Sequence, residues 1–231
     1  MRRSSLFAVV AIAGLLVSGC GSDDSSSGGG DKPSTSLAEL LLTEPELPAG
    51  AKIQPVPQEQ LAAQAEQLIE IMGSAEVNPP ECATSQKDLS EFSHELLQNG
   101  SLVAASGANG ELFLESVMNS EMDLGRIDSA MGGTCTNITM KFSVEGQSSE
   151  GAVENVKLTV PAELGDIDAI AYSTKSTSTT GGIGPVESTT MQGIAVIRGL
   201  TVNVGVRGEK PDQAAFDQLF VAAVKKVQAA E

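Results

Sequence analysis

The chain has 231 residues, and its 30 acidic against 14 basic side chains leave a net charge of −16. A surface this acidic excludes charge-driven binding to nucleic acid or to anionic lipid. There is no Trp and Tyr172 is the only Tyr, so the chain lacks aromatic platforms for stacking sugars or bases, while plentiful Thr, Ser, Gly and Val favour a β-rich domain.

Arg2 and Arg3 precede an apolar run from Leu6 to Val17 that is too short to span a bilayer, which needs about 20 apolar residues. Ser18 and Gly19 then lead into Cys20. Residues 1–19 therefore read as an export signal, and the order of small residues before a cysteine resembles the bacterial lipobox. On that reading the Cys20 thiol carries a diacylglyceryl group, and with a second acyl chain (a palmitate-type lipoprotein anchor) it holds the chain on the outer face of the cell membrane. The alternatives are an ordinary secretory signal or an uncleaved membrane helix. Residues 20–36 comprise the lipidated cysteine and a Ser/Gly/Asp-rich tether expected to be disordered, with ends roughly 20–25 Å apart as a flexible coil. Residues 37–231 are long enough for one extracytoplasmic domain with a sizeable core, or at most two small ones.

Leu37 to Leu42 predicts a short helical turn that stops near Pro45 and Pro48. Leu61, Ala65, Leu68, Ile69 and Met72 form one helical face, closed by Gly73. Pro79-Pro80-Glu81-Cys82 is extended or turned, and a second short helix is predicted from about Ser85 to Gln98. The period then changes to two. Leu112, Leu114 and Ser116 alternate with Phe113, Glu115 and Val117, and after a short helix at Asp123–Met131 strands are predicted at 138–144, 156–160 and 167–174. A Gly/Ser/Thr-rich loop at 176–189 precedes a hairpin of Met191–Ile197 and Leu200–Val206. Phe216, Leu219, Phe220, Ala223, Val224 and Val227 form a helix face behind Pro211 and Asp212. The expected fold class is α+β: a twisted antiparallel sheet flanked by helices, with the C-terminal helix packed on one sheet face.

Cys82 and Cys135 remain once Cys20 is acylated, and an even pair in an exported domain reads as a disulfide. Two free buried thiols are the alternative; their spacing excludes a CxxC redox or zinc site. His94, the only histidine, sits among Ser90, Ser93 and Glu95. A Ser/His pairing there is a weak catalytic candidate against a surface helix histidine, since no GxSxG elbow accompanies it. One histidine does not suffice for the usual zinc hydrolase sites. Asp123, Asp128, Asp166 and Asp168 lack EF-hand spacing for calcium. The sequence thus yields no catalytic residue, no metal site and no cofactor motif, and it leaves the ligand-binding residues unassigned.

Leu40-Leu41-Leu42-Thr43 with Glu46-Leu47-Pro48-Ala49-Gly50, Pro79-Pro80-Glu81-Cys82, Gly133-Thr134-Cys135 and the closing strand pair plus helix together resemble an actinobacterial family of lipoproteins and receptor ectodomains, the PknH-like extracellular sensor domains. The resemblance covers about residues 37–229. It implies a twisted antiparallel sheet flanked by helices, with a cleft for ligand, and no catalytic residues. The chain departs from the kinase sensor in having one expected disulfide where that sensor has two, and in lacking a kinase domain.

The expected function is a membrane-anchored, non-enzymatic binding or sensor-like module. It would take a small apolar or amphipathic envelope ligand in a cleft lined by the strands at 138–144, 156–160, 167–174 and 191–206. The competing expectation is an accessory protein that docks on an envelope transport, secretion or receptor complex through a sheet edge or the 176–189 segment. A hydrolase centred on His94 ranks last.

Overall fold

The computed structural model describes residues 32–56, 66–67, 69–144, 147–180 and 183–231. Among these residues, α1 (Leu37–Leu40) leads through a 3₁₀ turn at Glu44–Glu46 to β1 (Lys52–Gln54) and β2 (Glu76–Asn78). Next come α2 (Cys82–Asn99), β3 (Gly100–Ser106), β4 (Leu112–Met118) and α3 (Leu124–Met131). The chain continues through β5 (Asn137–Val144), β6 (Gln147–Lys157), β7 (Asp168–Thr180), β8 (Ile183–Ile197), β9 (Leu200–Gly208) and α4 (Gln213–Ala229). The strands form one antiparallel sheet in the order β1-β3-β4-β9-β8-β7-β6-β5-β2.

The two faces of this sheet follow from the alternation of side chains along each strand. On one face Phe113, Val117, Ala171, Ala195, Val202, Val204 and Val206 meet α4, whose Phe216, Leu219, Phe220, Ala223, Val224 and Val227 are all buried. α4 starts cleanly because the Asp212 carboxylate accepts a hydrogen bond from Ala215 N at 2.7 Å. Gly193 in β8 lets this helix sit close: a Cβ there would fall 2.7 Å from ring carbons of Phe220. The β8–β9 turn places Arg198 at φ 52° and Gly199 at φ 73°, the left-handed pair that a two-residue hairpin requires. From that turn the Arg198 guanidinium donates to carbonyls at the end of α4, including Gln228 O at 3.4 Å, which caps the negative end of the helix.

The other face carries α2 and α3. Leu124, Ile127 and Met131 pack on Ile170, Tyr172 and Ile194. α2 touches β2 near one edge of the sheet and β3 and β4 near the other, so it crosses the face. Its first residue, Cys82, is disulfide-bonded to Cys135 with Cα atoms 5.6 Å apart, and both cysteines are buried beside Ile138. None of the helices among the described residues is long and apolar enough to cross a membrane.

Several elements differ in extent from their sequence prediction. The 176–189 segment, expected as a loop, belongs to β7 and β8, which pair as a long hairpin on both sides of residues 181–182. Its Ser and Thr side chains suit a strand exposed on both faces, and cross-strand contacts hold it: Ser176 Oγ to Ser188 Oγ at 2.8 Å and Lys175 to Glu187 at 3.3 Å. β6 begins at Gln147 and ends at Lys157, so Leu158 to Val160 leave the sheet. The second helix runs from Cys82 to Asn99, longer than the predicted Ser85–Gln98. Of the earlier helical face, Leu61, Ala65 and Leu68 lie outside the described residues, while Ile69 to Gly73 are helical. Residues 1–31, with Cys20, also lie outside. Just before α1, Ser34 N and Thr35 N donate to Glu231 O at 2.7 and 3.2 Å.

Candidate functional site

The end of α3 and the adjoining strands enclose an open groove of about 770 Å³. α3 closes with Gly132 N donating to Asp128 O at 3.0 Å. Gly133, at φ 57°, then turns the chain into the 3₁₀ segment Gly133–Thr136 that carries Cys135. The disulfide thereby fixes one wall of the groove. The floor comes from β6 and β7, where Asn155 pairs with Thr174 and Lys157 with Tyr172 in register. These residues project toward α3, between Met131 and the Thr134–Thr136 backbone.

Asn155 is buried, yet both ends of its amide are used: its Nδ2 donates to Cys135 O at 3.3 Å, and its Oδ1 accepts from Thr174 Oγ1 at 2.9 Å. Beside it, the Tyr172 hydroxyl donates to Asp128 Oδ1, and Lys157 makes an ion pair with the same oxygen. The Lys157 ammonium lies 6.0 Å from the centre of the Tyr172 ring. Hydrogen bonding from Lys157, then from Tyr172, holds the Asp128 carboxyl below the usual range. Burial, followed by the bond to Asp128, pushes the Tyr172 phenol above its ordinary value. Tyr172 is therefore held as a neutral donor oriented on Asp128. The groove presents an ammonium, a carboxylate and small hydroxyls beside the apolar Met131.

Two further open grooves flank α4. One of about 610 Å³ lies against the 158–163 segment, and one of about 680 Å³ runs between α4 and the N-terminal segment. Both are lined mainly by helix surface and loops. Of these three, the 770 Å³ groove is the one with strand side chains converging on a polar network.

The strand-lined cleft expected from the sequence is met in part. Residues 155–157 of β6 and Tyr172 of β7 reach the groove, whereas the strands at 138–144 and 191–206 do not line it. The four aspartates considered for calcium do not converge. Asp123 caps α3 by accepting from Arg126 N at 3.0 Å, Asp128 is taken by Lys157 and Tyr172, and among the described residues no group of three His, Cys, Asp or Glu could hold a metal. His94 is on α2, and its side chain lies outside the described residues. Sequence reasoning missed the Asp128–Lys157–Tyr172 grouping because 44 residues separate its ends. The available signal was the lone tyrosine on a predicted strand face, since a buried tyrosine hydroxyl needs a partner.

A second unforeseen residue is Glu115, which is 1% exposed on the α4-covered face of β4. Its Oε2 accepts from Leu42 N at 2.8 Å, while its Oε1 is buried with no hydrogen-bond partner among the described residues. The readable signal was an acid between Phe113 and Val117, on the side of the strand that alternation turns inward.

The arrangement defines an α+β protein built on one nine-stranded antiparallel sheet, with an open groove on the face that carries two helices. No protein-family model and no curated protein matches the sequence. Among solved structures, the chain is similar to a Mycobacterium smegmatis protein described as the Rv0999 ortholog, at 16% identity and a TM-score of 0.46, over 85% of this chain and 99% of that one. It is also similar to the extracellular domain of PknH from Mycobacterium tuberculosis, at 15% identity and a TM-score of 0.36, over 76% of this chain and 98% of that one.

Proposed function

We propose that the chain is a non-catalytic extracytoplasmic binding module, lipid-anchored at Cys20, which takes a small amphipathic envelope molecule in the groove between α3 and the β6–β7 floor. The observation that carries this reading is the convergence of Asp128, Lys157 and Tyr172 on a volume of about 770 Å³, within the range of small-molecule sites of about 300–1,000 Å³. Met131 suits the apolar part of such a ligand, and the Lys157–Asp128 pair suits its polar head.

The groove carries its own reporter. Tyr172 is the only tyrosine and there is no tryptophan, so tyrosine emission reads this site alone. Titration with amphiphiles extracted from the source envelope should change that emission saturably, and the change should be lost in Lys157→Glu. A flat response to every fraction would remove the ligand reading. The anchor has a separate test: Cys20→Ala should leave an uncleaved precursor or release the protein from membranes, whereas retention with unchanged mass would refute it.

A second reading, an accessory protein docked on an envelope complex, is favoured by one observation. Val186 is 63% exposed on the projecting β7–β8 hairpin, an apolar side chain at a site that no element of the described chain covers. A stoichiometric protein crosslinked through 176–189, with no bound small molecule, would establish it instead.

A further inference from the structure

Residues 36–47 lie across the edge of the core as a strap. Leu40, Leu42 and Leu47 are buried in the cluster that contains Phe113 and Leu219. Besides Glu44, which accepts from Lys52 Nζ at 2.7 Å and Ile53 N at 3.3 Å on β1, two polar contacts fasten the strap to the body. Leu42 N donates to Glu115 Oε2 at 2.8 Å, and Lys226 Nζ on α4 donates to Leu41 O and Glu46 Oε2, both at 2.7 Å. The second contact is half exposed and ordinary. The first is not, because the Glu115 side chain reaches inward from β4 and leaves Oε1 with no partner among the described residues beside a small void lined by Leu47, Val103, Ala105, Phe113 and Leu219. A protonated carboxyl tolerates such a place, whereas a carboxylate with one unsatisfied oxygen does so at a large desolvation cost.

We propose that residues 36–47 form a pH-responsive strap, clasped over Glu115 while that carboxyl is protonated and loosened when it ionises. The charged groups that bear on Glu115 are Glu46 on the strap, which opposes its ionisation, and Lys226 on α4, which favours it. The neighbouring strands set only Val103 and Val204 beside it. Burial dominates these influences and raises the Glu115 carboxyl from its ordinary 4.5 to about 7, against the pull of Leu42 N and Lys226. The sign follows. A carboxyl that holds its proton more tightly when covered stabilises the closed strap at low pH and progressively loses that advantage from about pH 4.5 to 7. Glu46 acts in the opposite sense and at lower pH: Lys226 draws it down to about 2, so its contribution is present above about 4.5 and fades only in stronger acid. The clasp is therefore tightest in mild acid. Opening would uncover the apolar cluster around Phe113 and Leu219. This proposal stands apart from the groove, which lies on the other face of the sheet.

Amide hydrogen exchange of the full chain, corrected for intrinsic rates, tests it. Water-exposed Glu115 in the open strap implies that protection of Leu42 and its strap neighbours falls about 70-fold from pH 5 to pH 8, toward a ceiling of about 300-fold. Protection at Phe220 in α4 should not follow. Glu115→Gln should hold the strap closed at pH 8 and flatten the profile. Should that variant fail to fold, the carboxyl ¹³C resonance of Glu115 in the unaltered protein decides, with a midpoint near 7 shared by the strap amides. A midpoint below 5, equal protection at both pH values, or joint loss at Leu42 and Phe220 would overturn the proposal.

Discussion

Gly193→Ala places one methyl group where the sheet and α4 are closest. The added carbon would lie 2.7 Å from two ring carbons of Phe220 and 2.9 Å from a third. Carbon atoms pack at about 3.5–4.0 Å, so the ring or the helix must retreat by close to 1 Å. Phe220 has little room for this, because it is fully buried and packs on Phe216 with ring centroids 5.9 Å apart. Overpacking of this kind costs about 1–3 kcal/mol. Phe220→Ala alone removes a buried ring and should cost about 3–5 kcal/mol. In the double variant the new methyl occupies part of the emptied space, so the combined loss should fall short of the sum by at least about 1 kcal/mol. Urea unfolding of the four proteins at one pH closes the cycle. Additivity within about 0.5 kcal/mol, or a Gly193→Ala cost below that, would mean that α4 is not seated on β8 as described.

Other consequences are accessible by standard measurements. Replacing both Cys82 and Cys135 by Ser should lower unfolding free energy by about 4 kcal/mol in the chain-entropy treatment of a loop with a separation of 53 residues; two alkylatable thiols in the untreated protein would contradict the bridge. The ultraviolet titration of the single tyrosine should have its midpoint above the ordinary value of about 10, and Asp128→Asn should lower that midpoint without abolishing the shift, because burial is its larger cause. Between pH 5 and 8, Glu115 should cost the folded protein about 2.5 kcal/mol of stability relative to Glu115→Gln, with the loss growing as pH rises; equal pH profiles would refute the buried carboxyl.

The parts of the fold that were legible in the sequence are those whose side chains are sorted by burial. α4 repeats Phe216, Leu219, Phe220, Ala223, Val224 and Val227 at helical spacing because one face meets the sheet. β9 alternates because Val202, Val204 and Val206 meet α4 while Thr201 and Asn203 lie on the other face. β3, with its Gly100 and Ala-rich sequence, carries no such contrast, and the three-residue strands β1 and β2 are too short to show a period. The 176–189 arm has two solvated faces, so its pairing is held by register and hydroxyl contacts that leave no hydrophobic pattern. The groove was less legible than the fold for a related reason. Asp128, Lys157 and Tyr172 come from three elements, and sheet registration brings them together, not any local spacing. Glu115 was readable as an acid on an inward face, whereas its strap partner is a backbone amide, which no side-chain pattern encodes.

Native mass spectrometry of the protein purified from the cells that produce it, compared with Ser129→Trp, tests the groove most directly. Ser129 lines the groove from α3, and among the described residues its hydroxyl bonds within that helix, to Gly125 O at 2.8 Å, so an indole there fills the volume and spares the sheet. The unaltered protein should carry a small molecule that dissociates on unfolding, and Ser129→Trp should be folded and empty. A bound mass that persists in Ser129→Trp, or an unaltered protein that is always empty, would contradict a ligand site in this groove.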